Sequence, residues 1–270
     1  MAFKKYSRNP YNPLSDKPYK LSRSRIDNYL NCPRCFYMHE KKGVKAPSGP
    51  TFTLNNAVDN LYKNEFDLYR KEKKPHPIMI KNNLDCIPYE NENLDQWRNA
   101  FKGIQWHDRK TNFLFFGGID DIWINSKDEL HIVDYKATAK KTFNPNFDTG
   151  WEVCYKKQIE IYQWLFKKNG FKVSNIGYII YANGKSNLKK FEGNLTFDQH
   201  LYPLVCNTDW IDKIIPEIYD CLNSEKLPRS GGGWNGEGCE QCAYKKKLFD
   251  IFKSHISCLL YTSPSPRDRG

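Results

Sequence analysis

Two carboxylates and an ammonium fall at one end of a predicted hairpin in this chain of 270 residues. Residues 113–136, FLFFGGIDDIWINSKDELHIVDYK, hold two runs rich in apolar and β-branched side chains around the turn-forming Asn125-Ser126-Lys127-Asp128. Side chains alternate across a strand, so Gly118, Asp120, Ile122 and Ile124 share one face. Leu130, Ile132, Asp134 and Lys136 share a face of the partner. A turn centred on Lys127 sets Asp120 opposite Asp134. Like charges so placed repel, and half-buried carboxylates need a cation. A divalent metal meets both needs, and two carboxylates with a lysine are the inventory for metal-assisted phosphodiester hydrolysis. The competing reading is a hairpin with an ordinary salt bridge at its rim.

A second set of ligand-type residues lies at the two ends of the chain. Of the nine cysteines, four form the C-x-x-C pairs Cys32/Cys35 and Cys239/Cys242. Together they offer four soft ligands, suited to tetrahedral zinc or a cubane iron–sulfur cluster; unpaired buried thiols are the alternative. Cys86, Cys154, Cys206 and Cys221 read as small buried hydrophobes. No apolar run reaches membrane-spanning length and the first residues lack a signal-peptide core, so the expected location is cytoplasmic, where disulfides are rare.

The elements that must position these groups alternate between helix and strand. Residues 1–20 read as an extended or mobile arm, and 21–257 as one domain. Helical spacing of Ile26, Tyr29 and Leu30 starts after Ser22 and breaks at Cys32-Pro33. A second helix is predicted over 54–73, with Leu54, Val58, Leu61, Phe66 and Leu68 inward. A third spans about 151–168, closed by Asn169-Gly170; Gln158 and Tyr162 are neighbours on it. Strands follow over 176–181, ended by an Asn183-Gly184 turn, and over 188–195. A last helix runs from Thr208 through Leu222 and is kinked or restarted at Pro216. The pattern predicts an α/β fold, a mixed central sheet flanked by helices, with an N-terminal helical segment and a cysteine-bound metal staple. The net charge of +11 and a pI near 9.1 favour a polyanionic partner, and the 15% aromatic content suits base stacking in a basic groove.

Gly118-Ile119-Asp120, Asp134-Tyr135-Lys136 and Gln158-Ile159-Glu160-Ile161-Tyr162, in that order, resemble the RecB-like branch of the PD-(D/E)XK nuclease superfamily. That branch joins a G-x-[I/V]-D strand, a (D/E)-x-K strand and a Q-x-x-x-Y helix. Ser24 to Arg34 resembles its opening helix. The resemblance implies a restriction-endonuclease-like core and a metal-dependent DNA nuclease. Asp120 and Asp134 would bind Mg²⁺ or Mn²⁺ with the Tyr135 carbonyl, and Lys136 would help activate water. Gln158 and Tyr162 would position the strand. Asp59 stands where many relatives carry a metal-site histidine, and Asp121 where they often carry a basic residue.

Some relatives, CRISPR-associated and helicase-associated, bind a 4Fe–4S cluster through one N-terminal and three C-terminal cysteines. Here Cys32, Cys239 and Cys242 match. Leu248 stands at the expected last ligand, and Cys35 is the substitute, which leaves cluster and zinc both open. DNA is the implied substrate, with a helicase or other DNA-processing protein as partner. The rival reading is a non-catalytic nucleic-acid-binding module stapled by zinc. The end of the chain, CLLYTSPSPRDRG from Cys258, resembles a translated sequencing adapter and is expected to lie outside the domain.

Overall fold

The computed structural model describes residues 10–45, 52–142 and 144–261, with side-chain surroundings through residue 255. A short strand β1 (Tyr19–Ser22) leads into helices α1 (Arg23–Asn31) and α2 (Pro33–Glu40), split at Cys32 because Pro33 can only occupy a first turn. The long α3 (Thr53–Glu72) and short α4 (Pro77–Lys81) follow. Then come β2 (Ile87–Pro88), α5 (Leu94–Arg98), β3 (Ile104–Asp108) and β4 (Phe113–Gly117). The second half runs β5 (Asp121–Ile124), β6 (Leu130–Thr138), α6 (Val153–Lys168), β7 (Ile176–Gly184), β8 (Phe197–Val205), α7 (Asp209–Asn223) and α8 (Glu240–Tyr261).

Five strands make a central mixed sheet in the order β2-β5-β6-β7-β8, in which only β6 and β7 are parallel. The two parallel strands are nearly continuous in apolar residues because both sheet faces are covered. On one face Ile122, Ile132 and Ile179 join Ile159 and Leu165 of α6 and Ile211 and Ile215 of α7 in the main core. On the other, Trp123, Val133, Tyr135 and Ile180 pack with Tyr62 and Phe66 of α3. Phe66 stacks on Trp123 with ring centroids 5.5 Å apart, and Tyr62 on Tyr135 at 4.9 Å. A second sheet, β1-β4-β3, lies in the same main core through Leu21, Phe113 and Phe115.

The β5–β6 register pairs Ile122 with Ile132 and Ile124 with Leu130, which centres the turn on Lys127 as predicted. The expected single strand through 113–124 is corrected. It breaks at Gly118-Ile119-Asp120, where the chain leaves one sheet for the other. Gly117 permits this: a Cβ there would lie 2.5 Å from the Tyr162 ring, so only glycine lets β4 approach α6 so closely.

Three further expectations change. The inward face of α3 is Tyr62, Phe66 and Arg70, while Leu54, Leu61 and Leu68 are exposed; leucines at a seven-residue repeat satisfied the helical period on the wrong face. The strand placed at 188–195 is instead β8, and β7 continues through Asn183-Gly184. As an edge strand β8 buries a single residue, Leu204, so its polar positions obscure the alternation. Within the predicted arm, Tyr11 is buried in the core and β1 pairs in parallel with β4, because Tyr11, Tyr19 and Phe113 meet edge to face. Residues 1–9 and 262–270, which hold the rest of the arm and most of the adapter-like run, lie outside the described residues. Among those described, no helix is long and apolar enough to cross a membrane.

Candidate active site and candidate metal centre

Asp134 and Lys136 lie two apart on β6 and so point to the same face, where α6 covers them. Asp120, one residue before β5, falls where the register sets it across from Asp134. Its Oδ2 accepts the Tyr135 amide at 2.9 Å, and the two carboxyl groups lie within hydrogen-bond reach of each other. Asp134 is nearly fully buried; Gln158 Nε2 donates to its Oδ1 at 2.6 Å, and Lys136 Nζ pairs with its Oδ2. Lys136 also lies over the Tyr155 ring, 4.7 Å from its centroid. Burial pushes the Asp134 carboxyl up to about 7, with Lys136 opposing and Asp120 adding to the rise. Burial works on Asp120 too, but Lys136 and Lys63 outweigh it and hold that group below its ordinary range.

Asp59 approaches from α3. Lys63, one turn on, donates to Asp59 Oδ2 at 2.7 Å and to Asp120 Oδ1 at 3.5 Å, so it bridges the two carboxylates. Asp59 Oδ1 is buried with no hydrogen-bond partner, and Asp134 Oδ2 is met by the Lys136 ammonium. These oxygens, with those of Asp120, are the hard donors that Mg²⁺ or Mn²⁺ takes, so the residues fit such an ion. The three aspartates do not close into a compact ligand cluster. Among the described residues, only the four cysteines do.

Of the residues singled out from sequence, Asp120, Asp134, Lys136 and Gln158 therefore form one contact network, and Asp59 joins it through Lys63. Tyr162 joins through its hydroxyl, 3.5 Å from Gln158 Nε2. Tyr135 contributes its amide to the site, whereas its side chain goes to the opposite face. There its hydroxyl donates to Asp121 Oδ2 at 2.7 Å.

Sequence reasoning missed the supports. Asp121 is fully buried and accepts from Arg70, from Arg98 at 3.2 Å and from its neighbour's amide at 2.8 Å. Arg98 also donates to the Asp120 carbonyl at 3.1 Å, which ties the sheet-crossing segment to α5. Arg23, at the first position of α1, pairs with Asp27 and hydrogen-bonds Tyr162. The i,i+4 spacing of Arg23 and Asp27 was the one signal available for this group.

The cysteine centre is built from both chain ends. Cys32 caps α2, accepting from the Cys35 amide at 3.5 Å and the Gly231 amide at 3.2 Å. Burial pushes its thiol up, but those two amides together with hydrogen bonds from the Cys242 and Cys239 thiols outweigh it and bring it down to about 6. Gly231 must be glycine, because a Cβ there would sit 2.4 Å from the Asn31 carbonyl oxygen. Gly231-Gly232-Gly233 is thus a tight wrap around the start of α2. Cys32 and Cys242 sulfurs lie 3.6 Å apart, Cys35 and Cys239 3.7 Å, and Cys35 and Cys242 3.5 Å. All four lie within 4.8 Å of one another, as the predicted staple requires, and can hold a metal ion.

A mixed sheet between helices, with two aspartates and a lysine gathered where β5 and β6 meet, defines a class of α/β proteins equipped for divalent-metal chemistry. The chain belongs to the PD-(D/E)XK nuclease superfamily, whose profile matches residues 53–246. That match spans the aspartate site and the second cysteine pair, and leaves α1 and α2 outside it. No curated protein sequence matches the chain.

Proposed function

We propose that the protein is a metal-dependent DNA nuclease of the RecB-like branch, acting on DNA ends or single strands in repair, recombination or phage- or CRISPR-type DNA processing, beside a helicase or other DNA-processing partner. The observation that carries the reading is the joining of Asp120, Asp134 and Lys136 in one buried cluster oriented by Gln158. Asp120, Asp134 and Asp59 would hold Mg²⁺ or Mn²⁺, which when bound supplies Lewis-acid stabilisation of the phosphate and lowers the pKa of a bound water. Lys136 holds its proton firmly, because its two aspartate partners outweigh the cost of burial. Its ammonium therefore serves as a fixed positive charge beside the reacting phosphate and orients the attacking water by hydrogen bonding. Gln158 fixes the Asp134 carboxylate, and Tyr162, backed by Arg23, fixes Gln158. The 19% exposure of the Lys136 side chain leaves it reachable from solvent.

At the second centre the sulfur spacings support one tetrahedral zinc ion. Bonds of about 2.3 Å give sulfur–sulfur edges of about 3.8 Å, beside 3.5–3.7 Å for three of the six pairs and no more than 4.8 Å for any pair. A cubane gives each thiolate its own iron and would spread them to about 6 Å. The role is a staple between chain ends.

The test is incubation of zinc-loaded protein with end-labelled single- and double-stranded DNA, with Mg²⁺, Mn²⁺ or neither. Cleavage only with added metal, absent in Asp134→Ala, is expected. No cleavage with either ion, or full cleavage by the variant, overturns the reading.

A further inference from the structure

A cleft of about 660 Å³ runs between Trp151, at the entry to α6, and the glycine-rich wrap of the cysteine centre, whose Cys239 and Cys242 help to line it. Its walls carry two indoles, Trp151 from the α6 side and Trp234 from the wrap, together with the side-chain amides of Asn31, Asn235 and Gln241. Its charges balance: Arg34 and Lys246 are matched by Glu237 and Glu240. A track for phosphates would be strongly basic. A neutral cleft of aromatic faces and amides instead suits a flat, uncharged ring with hydrogen-bonding edges.

Trp151 is 46% exposed, a large cost for an indole that serves only packing. It also connects to the chemistry. Its ring meets Tyr155 edge-on at 5.1 Å, and Lys136 Nζ stands 4.7 Å from the centre of that same Tyr155 ring. Lys140, at 5.3 Å from the Trp151 ring, is held by Glu152 at 2.8 Å, which fixes the indole's surroundings.

From this continuity we propose that the cleft is a nucleobase subsite, in which an unpaired base of single-stranded DNA stacks on Trp151 about one or two nucleotides from the phosphate held at Lys136. Trp234 contacts the same or the next base, and the amides meet base edges. A base inside a duplex has no free face to offer, so the subsite makes the protein prefer single strands. This rests on the nuclease reading for the position of the phosphate, while stacking itself needs no cleavage.

The experiment is fluorescence anisotropy with labelled oligodeoxynucleotides, zinc-loaded protein and no added Mg²⁺, so that binding is read apart from hydrolysis. Trp151→Ala should weaken single-strand binding by roughly tenfold, the usual scale for one stacked base. Trp151→Phe should keep most of the affinity, and duplex binding should change less than about twofold. An oligonucleotide series with one abasic site moved step by step should lose affinity at one or two positions with wild type, and at none of these with Trp151→Ala. An unchanged single-strand affinity in Trp151→Ala, or a flat abasic series with wild type, overturns the subsite. Trp234→Ala is measured alongside with its melting temperature, and normal binding there by a folded variant confines the stack to Trp151. Position-specific binding without cleavage once Mg²⁺ is added would keep the subsite and remove the nuclease reading. Cleavage with a flat series would do the reverse.

Discussion

The aspartate cluster and the cysteine cluster both gather ligand-type side chains, yet they are assembled in opposite ways. Asp120 and Asp134 sit next to each other on the sheet, and their charge is met by Lys63 and Lys136 from within the protein. The four sulfurs come from segments 204 to 210 residues apart and draw together through contacts with one another and amide donors to Cys32. The first cluster thus holds its shape through internal ion pairs. The second is closed across most of the chain, so an ion held there would be part of the fold itself.

The largest expected effect separates the two by activity. Asp134→Ala and Lys136→Ala should each reduce metal-dependent cleavage at least about a thousandfold, since both act on charge developing at phosphorus. Their melting temperatures without divalent metal should stay near wild type. Variants of the aspartate cluster that melt far lower would erase the distinction.

Next in size is the converse. Cys239→Ser should lower the melting temperature by roughly 10 °C, a loss of several kcal/mol at the usual 2–4 °C per kcal/mol for a domain of this size. Hydrogen exchange should rise together in α1, α2 and the start of α8, and bound zinc should fall from one per chain. Exchange confined to one terminus would mean that the sulfurs do not share an ion.

A smaller loss tests the buried support between the two. Asp121→Ala takes from Arg70 and Arg98 one of the two carboxylates they share, Asp67 being the other, and should cost about 1–3 kcal/mol in denaturant unfolding. Zinc content should be unchanged.

The smallest effect is in pH. Asp134, raised to about 7, must release its proton to bind an ion. Mg²⁺ affinity by calorimetry should therefore fall up to about tenfold per pH unit below 7 and level off above it. In metal-free protein the sign reverses. A carboxyl raised in the fold contributes stability fully below its ordinary value of 3.8 and loses it as pH rises through 7. Asp134→Asn should flatten both profiles.

Much of this was legible because it is local. Alternation on two strands and a turn centred on Lys127 were enough to face Asp120 with Asp134, and the i,i+4 step joined Gln158 to Tyr162. The C-x-x-C spacing marked the second centre, although convergence over the length of the chain needed the fold. What stayed hidden was non-local. Nothing in the sequence shows that Arg70 and Arg98, 28 residues apart, meet on Asp121, since surface arginines look the same. The inward face of α3 was misread because a leucine repeat carries the same period as a core stripe, and only Tyr62 and Phe66 stacking on the sheet decides between them. Gly117 reads as an ordinary strand residue, and only the Tyr162 ring against it shows why the position is glycine.

The separation of Cys32 from Cys242 by 210 residues also has a bearing on how the chain is made. Helices α1 and α2 leave the ribosome carrying half of a thiolate site whose other half is translated about two hundred residues later. Until α8 emerges, two thiols remain free to react with oxidants or to bind metal in the wrong company. Closure of the centre therefore waits for α8, and a chain truncated before Cys239 lacks two of the four sulfurs that meet there.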